Sequence, residues 1–413
     1  MEKSSQKLRT IFILFSAFSA LFAAGCGGSA GTSGAGNNPP PPPPTVTPTI
    51  YTAWGDSLTA GCEDGSAPDC SYPYQLQKLI QGSTVNNEGI GGQTSTQIAV
   101  RMGAVATNVT DSFTIPSSGS VSGVTFKPGY EPCHNVGSAG SIGGTIDGVQ
   151  IYCQDAGAGE FTLTRVSSGS AVTVINGDLW TPVVPAGALS GINIIRAGRN
   201  NTSVCPTSGV TTSNCQVAAD IEAMTNYVAA HNGRFLVLTV INGELDGYAP
   251  DSTGYRWTTA IDSWITATYP NNSYDIREAL VAAYDAANPV DVLDHSHDVP
   301  PFSLRAFDSS GILASAVGSA TSCAISFGRK LGNSTIAIIG SEYIFISSGT
   351  DGNYSCTRGF AGSTAAAYPS GTAWVGDDPL HLSGYGTANT ANPNGPGYTL
   401  VAKSMQSALA KLQ

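Results

Sequence analysis

An α/β fold, with a parallel sheet covered by helices on both faces, is what the sequence predicts. Short apolar runs alternate along the chain with stretches of helical apolar spacing. One run, RFLVLTVI at 234–241, is almost continuously apolar, as a strand buried on both faces must be. Polar, glycine-bearing turns follow several of these runs, beginning with AWGDSLTAG at 53–61.

Taken in order, 49–54 reads as the first strand. Pro73 opens a helix that sets Leu76, Leu79 and Ile80 on one face. A short second strand is expected at 85–87, followed by a helix with Ile98, Met102, Val105 and Val109 along one stripe. INIIRA at 192–197 is the next strand. Val217, Ile221, Met224 and Val228 mark a further helix, with Gly233 placed as its C-terminal cap. The strand at 234–241 leads to a helix carrying Trp257, Ile261, Trp264 and Ile265. The last helix aligns Val401, Met405, Ala408 and Leu412. Two stretches, 111–190 and 306–376, break this rhythm. They are rich in Gly, Ser, Thr and β-branched residues and hold the strand-like FTLTRV (161–166), AVTVI (171–175), TIAII (335–339) and EYIFI (342–346). Both are read as small β-rich insertions. The expected organisation is therefore a core in three parts (49–110, 191–305 and 377–413) around insertions at 111–190 and 306–376.

The first residues are a targeting segment rather than fold. Lys3, Lys7 and Arg9 precede a short apolar run that ends Ala23-Ala24-Gly25-Cys26, the form of a secretory signal peptide over 1–25. The close on Cys26 resembles a bacterial lipoprotein signal, which implies lipidation of Cys26 and a membrane anchor. Gly27, where inner-membrane lipoproteins carry Asp, implies the outer membrane in a cell that has one. Residues 26–48 form a linker whose Gly/Ser half is flexible and whose six prolines favour extended polyproline II. Gly27-Gly28-Ser29-Ala30-Gly31 matches G-x-S-x-G, but no strand precedes it and no helix follows, so the match is chance.

Charged residues make up 11% of the chain, against about 25% on average, and the net charge is -11. That balance suits an exported protein and argues against a nucleic-acid partner. Besides Cys26, the cysteines fall as four close pairs: Cys62/Cys70, Cys133/Cys153, Cys205/Cys215 and Cys323/Cys356. Their clustering makes neighbour pairing the simplest disulfide scheme, in the oxidising compartment that export supplies. There is no C-x-x-C. Asp294-His295-Ser296-His297-Asp298 lacks a second cluster of ligands and reads as a polar loop rather than a metal site. Trp54 and Trp374 read as packing residues rather than sugar platforms.

A hydrolytic serine needs a base, an orienter for that base, and donors for the developing oxyanion. Ser57 follows the first strand. Asp378-Pro379-Leu380-His381 puts a carboxylate three residues before an imidazole, so that Asp378 accepts from one ring nitrogen while the other faces outward. Asn87 to Thr94 (NEGIGGQT) ends the second strand in glycines, and Gly198-Arg199-Asn200-Asn201 ends the third with amides.

These four blocks resemble those of the SGNH (GDSL-type) serine hydrolases. The resemblance covers the core, about half the chain, and implies a flavodoxin-like three-layer α/β core with a parallel sheet. It implies Ser57 as nucleophile, His381 as base and Asp378 as its orienter, with an oxyanion hole from the Ser57 and Gly92 N–H groups and the Asn200 side chain. The third block departs from the family's Asn-Asp by ending Asn200-Asn201, which bears on loop packing rather than chemistry. The segment at 294–306 resembles the one that in relatives runs almost directly into D-x-x-H, so the second insertion is expected near the active-site mouth. The implied activity is ester hydrolysis through an acyl-enzyme, on O-acetylated carbohydrate or short-chain carboxylic esters, with no metal or organic cofactor. Transfer of the acyl group to a sugar hydroxyl is a second enzymatic reading. The alternative from another class is a cell-surface binding protein that uses the insertions on a degenerate hydrolase core.

Overall fold

Five short strands build the central sheet: β1 (Ile50–Gly55), β2 (Thr84–Gly89), β3 (Ile192–Arg196), β4 (Arg234–Leu238) and β5 (Ser273–Tyr274). The computed structural model describes residues 49–61, 70–136, 140–246, 252–307, 309–319, 322–384 and 396–413. The expected signal peptide (1–25), Cys26 with its linker to 48, and Cys62 lie outside the described residues. Every pairing in the sheet is parallel, in the order β5-β4-β3-β1-β2. That is the doubly wound 2-1-3-4-5 order, whose strand order reverses between β1 and β3.

Successive side chains of a strand point to opposite faces, and here both faces are apolar. Tyr51, Ala53, Ile192, Ile194, Leu236 and Leu238 enter one core cluster, while Trp54, Ile195 and Val237 enter the other. The helices are α1 (Ser57–Ala60), α2 (Tyr72–Leu79), α3 (Ser95–Met102), α4 (Gln216–Ala230), α5 (Thr253–Thr268), α6 (Ile276–Val281), α7 (Pro289–Ser296), α8 (Gly397–Ser404) and α9 (Gln406–Ala410). Helices α3, α4 and α5 cover the Trp54 face with Ile98, Met102, Ile221, Met224 and Ile261. Helices α2, α6, α8 and α9 cover the other with Leu76, Ile276, Leu280, Val401 and Leu409. The result is the three-layer α/β core expected from the sequence.

Three local expectations give way. Helix α3 stops at Met102, because Gly103 turns left-handed (φ 93°) and its N–H returns to Ala99 and Val100. Val109 then packs into the first insertion's core and bridges to Phe126. After α4 the left-handed residue is Asn232 (φ 59°), not Gly233; glycine is required at 233 because a methyl group there would collide with the Leu189 carbonyl. The last helix is broken at Met405 (φ -81°, ψ -7°), although Val401, Met405 and Leu409 still form one buried stripe.

Two antiparallel sheets stand apart from the core sheet. The first has six strands in the order Thr107–Asn108, Leu179–Pro182, Ile142–Ile146, Val149–Gly157, Glu160–Arg165 and Ser120–Val124. It has its own apolar cluster around Phe126, Ile151, Phe161 and Trp180, and a separate hairpin pairs Phe113–Ile115 with Val172–Val174. The second has five strands, ordered Ser309–Ile312, Ala373–Gly376, Thr335–Ile339, Glu342–Thr350 and Asn353–Thr357, around Ile339, Ile344 and Trp374. Both tryptophans in question are packing residues: Trp54 donates to Asn193 Oδ1 (2.9 Å) and Trp374 to the Phe327 carbonyl (3.2 Å), each buried.

Disulfides join Cys133–Cys153, Cys205–Cys215 and Cys323–Cys356. Cys70 is disulfide-bonded as well. These bridges fit an oxidising, extracytoplasmic compartment.

Candidate active site

The turn after β1 accounts for the polar pair Asp56-Ser57. Asp56 is the N-cap of α1, and its carboxylate accepts from the Leu58 N–H at 3.0 Å. The same carboxylate lies 3.5 Å from Arg196 Nη1 at the end of β3, with both groups buried. Asp56 thus holds the one-turn helix that begins with Ser57. Gly55 is needed because a methyl group there would overlap the Thr59 side chain.

The D-x-x-H loop closes on itself. Asp378 Oδ1 accepts from the Leu380 and His381 N–H groups, both at 2.8 Å, and Oδ2 lies 2.7 Å from His381 Nδ1. Across the site, His381 Nε2 is 2.8 Å from Ser57 Oγ. With Nδ1–H given to the carboxylate, Nε2 is left to accept from the serine hydroxyl. Burial by itself pushes the Asp378 carboxyl up, but the hydrogen bond and charge of His381, helped by the two backbone N–H groups, outweigh it and hold the carboxyl below its ordinary value. It therefore stays ionised beside the imidazole.

The sequence-expected oxyanion donors converge on the same sheet ends. Gly92 is left-handed (φ 74°), and a methyl group on its neighbour Gly91 would come within 3.7 Å of Ser57 Cβ. Asn200 donates one amide hydrogen to the Gln93 carbonyl at 2.9 Å, which leaves its second to point elsewhere. Asn201, the residue that departs from the usual block, accepts from the Ser95 N–H (3.1 Å) and donates to Ser95 Oγ (3.0 Å), joining the two loops. Ser57, Gly92 and Asn200 thus follow the C-terminal ends of β1, β2 and β3, beside the point where the strand order reverses.

The chain leading into the second antiparallel sheet pairs with the D-x-x-H loop that follows it. The Asp378 N–H donates to the Ala306 carbonyl (2.8 Å), the Ala306 N–H donates to that of His381 (2.9 Å), and Arg305 bridges to Leu382.

The expected polar loop at 294–298 is instead the last turn of α7 and its cap. Its side chains diverge: His295 bonds the Val281 carbonyl and stacks on Tyr284, His297 bonds the Leu293 carbonyl, and Asp298 pairs with Arg277. Asp294 turns inward to Arg305.

Two polar hubs escaped the sequence reading. Gln93 is fully buried; its Nε2 donates to the carbonyls of Pro132 (3.4 Å) and His134 (3.0 Å), and its Oε1 accepts from Arg101 Nε (3.1 Å). Arg101 in turn donates to the carbonyls of Gly55 and Glu88, tying the ends of β1 and β2 together. Burial lowers the Arg101 guanidinium to about 10 despite the Glu88 carboxylate beside it. Its signal in the sequence is a cation set between Ile98 and Met102 on an otherwise buried helix.

The second hub is Arg305, 1% exposed, with Asp377 at 2.9 Å, Asp294 at 3.2 Å and Glu244 at 3.3 Å. Three buried acidic groups share one guanidinium, and one of them, Asp377, immediately precedes Asp378 in the chain. Burial drives Asp377 up to about 8 against the pull of Arg305, with Glu244 adding to the rise, and it drives Asp294 well above its ordinary value. Asp377 ordinarily titrates near 3.8, so between there and about 8 the folded chain keeps a proton that the unfolded chain has released. Stability from this group is full below that window and is lost as pH rises through it. The melting temperature of Asp377→Asn should therefore fall less than that of wild type between pH 4 and pH 8. Parallel curves would show that Asp377 titrates normally.

No family model matches this chain, and no curated protein matches it. Among solved structures, it is similar to a protein described as lipolytic, of the G-D-S-L family, from Desulfitobacterium hafniense DCB-2, at 14% identity and TM-score 0.29, over 58% of this chain and 82% of that one. It is also similar to a gut microbial diltiazem-metabolizing enzyme, at 10% identity and TM-score 0.25, over 73% of this chain and 56% of that one. Likenesses this slight carry no argument about chemistry. The α/β sheet order and the side-chain geometry stand on their own distances.

Proposed function

We propose that this protein is a serine ester hydrolase that works through an acyl-enzyme. The observation that carries the reading is the unbroken chain from Ser57 Oγ to His381 Nε2 and from Nδ1 to the ionised Asp378. Ser57 attacks the ester carbonyl while His381 takes its proton. The negative charge that develops on the carbonyl oxygen is met by the N–H groups of Ser57 and Gly92 and by the second amide hydrogen of Asn200. His381 then returns the proton to the departing alcohol, and water, activated by the same imidazole, releases the acid.

The substrates we propose are short-chain carboxylic esters and O-acetylated carbohydrate. We place the enzyme outside the cytoplasm, anchored through a lipidated Cys26 and held off the membrane by the linker, with the insertions at 111–190 and 306–376 as separate β units on its core. The disulfides support that compartment.

A fluorophosphonate probe followed by peptide mapping tests the chemistry. The expected adduct is on the peptide containing Ser57; an unlabelled Ser57 in folded protein would overturn the reading. Asn200→Ala should lower kcat by about 10²–10³-fold, the usual cost of one oxyanion donor. Burst kinetics on p-nitrophenyl acetate would show whether that loss falls on the acylation step.

A further inference from the structure

The first insertion reaches the Gly91-Gly92 loop beside Ser57, and the residue it delivers there is Asn135. A methyl group on Gly92 would overlap Asn135 Nδ2, so the Asn135 amide lies against the loop whose other glycine, Gly91, faces Ser57. The position is fixed from three sides. Gln93 holds the carbonyls of Pro132 and His134; the Cys133–Cys153 disulfide ties the segment to a strand of the insertion; and the Asn135 N–H donates to Asp155 Oδ2 at 2.7 Å. The residue itself is left-handed (φ 61°) and exposed. Its side-chain amide makes no hydrogen bond among the described residues. A rigid, strained loop that presents an unused amide beside a reactive serine is placed to bind something that comes to that serine.

We infer that Asn135 is a substrate-binding residue, and that its amide hydrogen-bonds a hydroxyl of the alcohol part of the ester. The inference rests on the hydrolase reading above. An acetyl group ends one carbon beyond the scissile carbonyl, so the part of an acetyl ester that projects towards an exposed group at the rim is its alcohol. A polyhydroxylated alcohol, such as a sugar ring, supplies oxygens that such an amide recognises, whereas a hydrocarbon alcohol leaves the amide to water. The insertion would then give a general ester-cleaving core its preference for acetylated carbohydrate.

The test compares an acetylated methyl glycoside with cyclohexyl acetate, which share the acyl group and a six-membered ring but differ in hydroxyls. The variant is Asn135→Gly, because glycine adopts φ 61° without strain and the side chain makes no hydrogen bond among the described residues. Wild type should favour the glycoside in kcat/KM, and Asn135→Gly should reduce that ratio about 3- to 10-fold, the range of one neutral hydrogen bond. An unchanged ratio overturns the inference. So does an equal loss on both substrates, which would mean that Asn135 only supports the Gly92 loop. Fluorophosphonate labelling of Ser57 in the same samples separates the two levels: labelling with an unchanged ratio removes Asn135 alone, while absent labelling removes the hydrolase reading and this inference with it.

Discussion

Replacing Ser57 with alanine is expected to lower kcat on p-nitrophenyl acetate by roughly 10⁵–10⁶-fold, the scale on which a nucleophile acting as one unit with its base is lost. The substitution removes one oxygen from a buried position and leaves the Asp56 cap and the turn around it unchanged, so the melting temperature should stay close to that of wild type. His381→Ala should lose a similar amount, and the double variant little more than either single one, because neither group works without the other. Losses that multiplied in the double variant would mean that Ser57 and His381 act in separate steps. Full activity in Ser57→Ala would end the nucleophile assignment.

Asp378→Asn should cost about 10⁴-fold in kcat while the loop keeps its shape. The Oδ1 position still accepts from the Leu380 and His381 N–H groups, so the turn survives. The atom facing His381 Nδ1 becomes an amide that donates, which puts the imidazole proton on Nε2, the nitrogen facing Ser57 Oγ. The ring then has no lone pair to accept the serine proton. The stored negative charge that steadies the imidazolium during attack is lost as well. Fluorophosphonate labelling, which depends on the same proton transfer, should slow in parallel with turnover. Labelling at the wild-type rate would mean that Asp378 orients nothing and caps a turn.

Much of this was legible in the sequence because it is locally encoded. The apolar runs 192–197 and 234–241 and the glycine-marked turns after them record strand period and strand ends, and these fix the α/β class. The D-x-x-H spacing is a local turn, so the Asp378–His381 contact is legible from three residues. The bounds of individual elements were less so. The stripe through Val105 and Val109 continues helical spacing past Gly103, and spacing alone does not register that the backbone has turned left-handed there. The polar run at 294–298 carries residue types common in loops, yet Asn288 caps a helix that continues into it as far as Ser296. Arg305 and Gln93 are polar letters that nothing in the sequence marks as buried, and the one mark on Arg101 is its place between Ile98 and Met102; each is inside because groups from other segments meet it there.

By itself, the sequence determined the α/β class, the order of the first four core strands and of helices α2 to α5, and the residue types that follow those strands; β5, α6 and α7 carried no period long enough to be read. Tertiary structure alone decided which of those residues meet. Ser57 and His381 are 324 positions apart and touch because the chain after the second insertion returns to the end of β1. Asn135 reaches Gly92, and three carboxylates gather on Arg305, for the same reason. Periodicity specifies the conformation of a segment and the face it buries. The pairing of segments is set by burial and hydrogen-bond satisfaction over the whole chain, and that is recorded only in the folded arrangement.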